Sequence, residues 1–143
     1  MNDAWEIAYG LDPLEAQDGA LDLNNDGLSN AESHALGGNP LLVDTDSDGF
    51  TDLEEAIAGS NLNDPQSVFE GTWFYTIPTP HIFWTGLTGR VYDIYFKTSA
   101  VDNTPWQLLP GGTNIPGTAG SMGVVDPNPA DGMRLYRIEV ERP

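Results

Sequence analysis

Hydrophobic and polar positions follow two different patterns along the chain. From Val68 onward, aromatic and β-branched residues recur near every second position between Gly- and Pro-containing turns. That is the period-2 signature of half-buried strands. It predicts strands near 68–77 (Phe69, Trp73, Tyr75, Ile77), 81–86 (Ile82, Trp84) and 90–98 (Val91, Ile94, Phe96). Further strands are predicted near 105–109 (Trp106, Leu108), 120–126 (Met122, Val124) and 133–141 (Leu135, Tyr136, Ile138, Val140). Short strands at this spacing suggest an antiparallel β-sandwich. Before Val68, small apolar clusters alternate with stretches that place Asp or Asn at every second position. There Glu6 is followed by Gly10 and Asp12-Pro13, Ser33 by Gly37 and Asn39-Pro40, and Glu55 by Gly59 and Asn63-Asp64-Pro65. A glycine cap and a proline stop limit each helix to about two turns. The fold class expected is therefore mostly β, with short loop-and-helix repeats (1–67) packed N-terminal to the sandwich (68–143).

The polar stretches carry the chemistry. One reads Asp22-Leu-Asn24-Asn-Asp26-Gly27-Leu28-Ser29-Asn30, the other Asp44-Thr-Asp46-Ser-Asp48-Gly49-Phe50-Thr51-Asp52. In a tight loop, side chains 1, 3 and 5 turn toward one centre, and glycine at position 6 permits the bend. The carbonyl of position 7 adds an oxygen, and a helix entered near position 9 brings back a bidentate carboxylate at position 12. Hard oxygen donors in this order form a calcium loop of the EF-hand type. The second loop fills every place: Asp44, Asp46, Asp48, the Phe50 carbonyl, Asp52 (through water) and Glu55. The first offers Asp22, Asn24, Asp26, the Leu28 carbonyl and Asn30, but Ser33 stands at position 12 and Glu32 one place early. A weaker site is expected there, with Glu32 reorienting or water completing the shell. Ser29 with Glu32 and Thr51 with Glu54 have capping-box spacing, which explains both position-11 glutamates without a metal.

The repeat is uneven, 27 residues from Glu6 to Ser33 and 22 from Ser33 to Glu55. The extra residues fall between Pro13 and Asp22. Asp3-Ala4-Trp5-Glu6 matches positions 9–12 of a loop whose first half is missing, so a longer parent array is expected. The pattern Asp-x-Asp-x-Asp-Gly, short helix, Gly-x-Asp/Asn-Pro resembles the bacterial thrombospondin type-3 repeat over residues 2–66. The departures are Ser33 for an acid and Leu62 for a proline. The resemblance implies calcium-stabilised, non-catalytic spacer segments of large secreted or surface proteins. Dockerins share the loop chemistry but use longer helices to grip a partner, so that role is the lesser expectation. Residues 68–143 resemble a fibronectin type III-like domain, through Trp84, Tyr92-Asp-Ile-Tyr95-Phe-Lys97 and Leu135-Tyr-Arg-Ile138. Gly89-Arg-Val-Tyr92, Ile115-Pro-Gly117 and Tyr136-Arg-Ile-Glu139 are similar to the small C-terminal sandwich of secreted bacterial proteins. A final strand after 141 is expected to be missing or to belong to the edge, leaving a docking edge for a neighbouring module of the same polypeptide.

Charge sharpens this picture. The 143 residues include 22 acids and five bases, a formal charge of −17, with 39% hydrophobic residues. Fifteen of the acids and none of the bases lie in residues 1–67. An acidic half without bases is either disordered or held together by cations, and the loop spacing favours cations, about two Ca²⁺. Nucleic acid and anionic lipid are unsuitable partners for such a polyanion, and no apolar run approaches the ~18 residues of a membrane span. The chain contains no Cys, hence neither a thiolate metal site nor a cysteine nucleophile. His34 and His81 have no local Ser or acid in a catalytic arrangement, so no enzyme activity is expected. Trp73, Phe74, Tyr75, Trp84 and Trp106 are possible sugar-stacking residues, although strand alternation sends about half of such side chains into a core. A glycan or protein ligand is the alternative function.

Overall fold

The computed structural model describes residues 1–76, 79–100, 103–128 and 134–143, with 73–76 described as backbone only. The chain divides into two compact units, Met1–Phe69 and Glu70–Pro143.

The first unit holds three short helices, α1 (Asp3–Ala8), α2 (Asn30–Leu36) and α3 (Asp52–Ala58), with a 3-10 turn at Asp18–Ala20. Their ends follow from the local sequence. Ser29 and Thr51 accept from the backbone N–H groups of Glu32 and Glu54, and both glutamates reach back to the cap, completing two capping boxes. Gly37 and Gly59 close α2 and α3 in the left-handed region, at φ +84° in each, where a Cβ would be strained. Three later turns also repeat. The backbone N–H groups of Asp12, Asn39 and Asn61 donate to the side chains six residues on, Asp18, Thr45 and Ser67, at 2.9, 2.8 and 3.0 Å. The five-residue excess of the first repeat is taken up around the 3-10 turn.

The core of this unit is small: Leu28, Ala56 and Leu62, with Leu53 packed against it. Leu62 is fully buried in the place where its repeat-mates have Pro13 and Pro40, so its departure from the pattern fills the interior. Gly27 lies against Leu53, and a Cβ there would sit 2.9 Å from Leu53 Cδ2. Each buried leucine contributes on the order of 1.5–3 kcal/mol. Two such leucines and Ala56 make a marginal core for a unit of this size.

The second unit is built from two antiparallel sheets. One joins β1 (Gly71–Thr76), β2 (Thr79–Gly86) and β6 (Gly120–Val125) in that order. The other centres on β3 (Val91–Lys97), with β4 (Gln107–Leu108) and β5 (Ile115–Pro116) on one side and β7 (Leu135–Glu141) paired along β3. The mostly-β class expected from sequence holds, and β5 is a strand that the alternation did not single out. Ile77 and residue 133 lie outside the described residues, as do the side chains of Trp73, Phe74 and Tyr75.

Burial alternates along β2, placing Ile82 and Trp84 inside, and along β3, placing Tyr92 and Ile94 inside. The Trp84 and Tyr92 rings meet at 5.4 Å, and a Cβ on Gly71 of β1 would touch Ile138 of β7 at 2.8 Å. The two sheets therefore share one apolar core. Asp126, fully buried after β6, accepts from Arg134 at 2.5 Å and from the Tyr136 hydroxyl at 2.8 Å. Removing either donor would leave a buried carboxylate short of partners.

Candidate metal centre

The two Asp-rich loops have one backbone design. Asn25 and Ser47 at position 4 adopt φ +57° and +64°, and Gly27 and Gly49 at position 6 adopt +99° and +102°. The N–H of position 6 donates to the first aspartate, Gly27 to Asp22 and Gly49 to Asp44 (3.0 and 3.2 Å). The N–H of position 5 donates to the side chain of position 3, Asp26 to Asn24 and Asp48 to Asp46 (3.2 Å each). The N–H of position 7 donates to position 5, Leu28 to Asp26 and Phe50 to Asp48 (2.7 and 2.8 Å). Finally Asn30 and Asp52 donate backbone N–H to the carbonyls of Leu21 and Val43, closing each loop at its base. One oxygen each of Asp22, Asp26, Asp46 and Asp48 is thus spent on backbone, leaving the other free to turn elsewhere, whereas Asp44 accepts with both, from the N–H groups of Ser47 and Gly49.

What those second oxygens meet separates the loops. In the second loop, carboxylate oxygens of Asp44, Asp46 and Asp48 lie within 4.8 Å of one another. Asp46 Oδ2, Asp48 Oδ2 and both Glu55 oxygens are buried without a hydrogen-bond partner. Burial is the main reason the Glu55 carboxyl is pushed up to about 7; Ser60 offsets only part of it, and the charges of Asp46, Asp48 and Asp52 add to the rise. Unpaired buried carboxylates of this kind are strongly destabilising unless a cation joins them. Oxygen-only donors suit Ca²⁺, which accepts irregular coordination at 2.3–2.6 Å.

Asp52 stands apart. Both of its oxygens accept from Thr45, at 2.8 and 2.7 Å, and burial raises its carboxyl pKa while those bonds lower it. Its structural contact is with the loop's second residue. Glu54 is held low by the Thr51 backbone and hydroxyl of its capping box. The Phe50 side chain projects outward, 52% exposed, so only its carbonyl is relevant to a metal.

In the first loop, amide N–H groups take up acceptors that have no such donors in the second. Asn24 Nδ2 donates to Asp26 Oδ2 at 2.6 Å and also to the Leu42 carbonyl. Asn30 Nδ2 donates to the Asp18 carbonyl at 2.7 Å. Glu32 accepts from the Ser29 N–H and hydroxyl at 3.0 and 2.7 Å, turned toward its capping box. Ser33 is buried, and of Asp22 one oxygen, Oδ1, is left buried and unpartnered. The Leu28 side chain occupies the core.

Residues 44–65 match the family model of the bacterial TSP3 repeat. The match takes in the second loop, α3 and the turn that follows. TSP3 repeats are a calcium-binding type, and the Asp44–Asp46–Asp48 cluster is chemically suited to that ion. TSP3 repeats are also typical of extracellular proteins, and no described helix is long and apolar enough to cross a membrane. Comparison with curated proteins and with solved structures gave no match. The signal missed at the sequence level was the amide pair Asn24 and Asn30. Their side chains can donate as well as accept, which carboxylates cannot.

Proposed function

We propose that the chain is a non-catalytic, calcium-binding structural module of a larger secreted or cell-surface protein. Its repeat segment is made rigid by Ca²⁺. The observation that carries this reading is the set of buried, unpartnered oxygens on Asp46, Asp48 and Glu55 beside Asp44. Bound Ca²⁺ would supply the positive charge that residues 1–67 lack, and folding and metal binding would be one equilibrium. The second loop is the principal site; Asn24 and Ser33 make the first a weaker one. The affinity expected is that of extracellular modules, roughly 10⁻⁴–10⁻³ M. The pairing of β1-β2-β6 in one sheet and β4-β3-β7 in the other supports a fibronectin type III-like reading of the second unit. Calorimetric Ca²⁺ titration of chelator-stripped protein, with melting curves at both ends, tests the proposal. Heat of binding with a raised Tm is expected; neither heat nor shift would reduce the segment to an acidic linker.

Glycan recognition is the second reading, favoured by one feature of the three-stranded sheet. The Phe83 ring lies over Gly123, where a Cβ would come within 2.6 Å, and His81 stacks on it at 5.9 Å and 17°. Thr72, Thr85 and Ser121 line the adjoining cleft. Trp84, a sequence candidate for this role, is instead 3% exposed in the core, and Trp106 lies beneath Lys97 and Arg137. Retardation in gels containing neutral polysaccharide, lost in Phe83→Ala, would support this reading; unretarded wild-type protein would remove it.

A further inference from the structure

The cleft beside Phe83 measures about 480 Å³ and lies on the outward face of β1, β2 and β6. Strand register places its parts. Thr72, Phe83 and Gly123 stand on one rung, and Thr85 and Ser121 on a second, roughly 7 Å along the strands. Ile82 and Trp84 are buried, so alternation turns these residues away from the core. Gly123 has no Cβ to block the Phe83 ring, which leans across it. Glu70 immediately precedes β1, one residue beyond the Gly71–Trp84 pair, and so adjoins the Thr85 rung. It is exposed and lines the same cleft.

The charge of this face is one-sided. Among the described wall residues the Glu70 carboxylate is the one ionisable group, beside the hydroxyls of Thr72, Thr85 and Ser121. Glu70 makes no hydrogen bond or ion pair among the described residues. Three of the five bases are engaged on the other sheet: Arg134 with Asp126, and Lys97 and Arg137 over Trp106. A uronate or sulfated sugar on Phe83 would meet Glu70 and the field of a chain at −17, with no wall cation to offset either. A protonated amine meets the opposite situation. The carboxylate accepts from it, the overall field attracts it, and an aromatic face draws cations through its quadrupole.

We propose that this face selects amino sugars, glycans that carry free protonated amines. Phe83 packs against the sugar ring, Glu70 accepts from the ammonium, and the three hydroxyl side chains exchange hydrogen bonds with the sugar hydroxyls. The inference rests on the glycan reading and narrows its ligand class.

The test titrates the whole calcium-loaded chain by calorimetry with short oligomers of glucosamine, N-acetylglucosamine and galacturonate, below the pKa of the amine. Glucosamine oligomers are expected to bind on the order of fivefold more tightly than the acetylated ones, the upper range for an exposed charge pair. Galacturonate oligomers are expected not to bind. Glu70→Gln should abolish the preference while keeping the affinity for the acetylated oligomer. Glu15→Gln changes the net charge equally at an exposed site in the acidic segment and should leave the preference intact. Equal affinity for the two hexosamine oligomers, or a preference that survives Glu70→Gln, overturns the proposal and leaves the glycan reading standing. Loss of preference in Glu15→Gln as large as in Glu70→Gln overturns it too, because bulk charge would then be the cause. If neither hexosamine oligomer binds the wild type, the glycan reading falls and the inference with it.

Discussion

Glu55 shows how one buried side chain couples pH, metal and stability. Its carboxyl titrates near 7 in the folded chain against an ordinary value of 4.5, chiefly because burial disfavours the charged form. Folding without metal therefore takes up a proton at this residue. The associated stability is fully present below 4.5 and is lost as pH rises through about 7. Metal-free protein should lose Tm between those values, and Glu55→Gln should flatten the slope because a neutral amide has no proton to release. With calcium the carboxylate is the required form, so binding near neutrality should expel a proton. Calorimetry in buffers of different ionisation enthalpy would detect it; buffer-independent heats would count against Glu55 as a ligand. Asp48→Asn is expected to weaken binding at the second loop at least tenfold, read from the same titration.

At the level of elements, the short helices stand because their ends are satisfied. Thr51→Ala removes the acceptor for the Glu54 N–H and should destabilise the first unit by about 1 kcal/mol. Gly59→Ala places a Cβ at φ +84° and should cost roughly 1–2 kcal/mol. Urea unfolding of the calcium-loaded protein would measure both. These ends were legible in the sequence, because Ser29, Glu32, Thr51, Glu54, Gly37 and Gly59 act through bonds to residues a few places away. So was the alternation that buries Ile82, Trp84, Tyr92 and Ile94. Less legible was the choice between donor and acceptor for Asn24 and Asn30. That choice depends on the Leu42 and Asp18 carbonyls, 18 and 12 residues distant. The two-residue strand β5 escaped for a similar reason: Ile115-Pro116 is defined by pairing with Val91 and Tyr92 and has too few residues to show a period.

For the whole molecule, the decisive quantity is where the charge lies. Fifteen acids without a Lys or Arg occupy residues 1–67, and the core they surround is small, built on Leu28, Ala56 and Leu62. Repulsion among those acids is screened by salt, with a Debye length near 10 Å at about 0.1 M. Monovalent salt should therefore recover part of the metal-free stability. It cannot replace an ion seated among Asp44, Asp46, Asp48 and Glu55, since buried charges are screened far less. The β-unit is organised differently: Asp126 already has Arg134 and Tyr136, and Ile82, Trp84, Tyr92, Ile94 and Leu109 supply its interior. Hydrogen exchange followed by mass spectrometry should then show calcium-dependent protection concentrated in 22–33 and 44–60. Amides of β2 and β3 should exchange at nearly the same rate with and without the ion. Sodium chloride at matched ionic strength should give a smaller gain, spread across the acidic segment and weakest at Glu55. If salt reproduced the full calcium pattern, the loops would be responding to bulk screening, and the ligand set proposed for the second loop would fail.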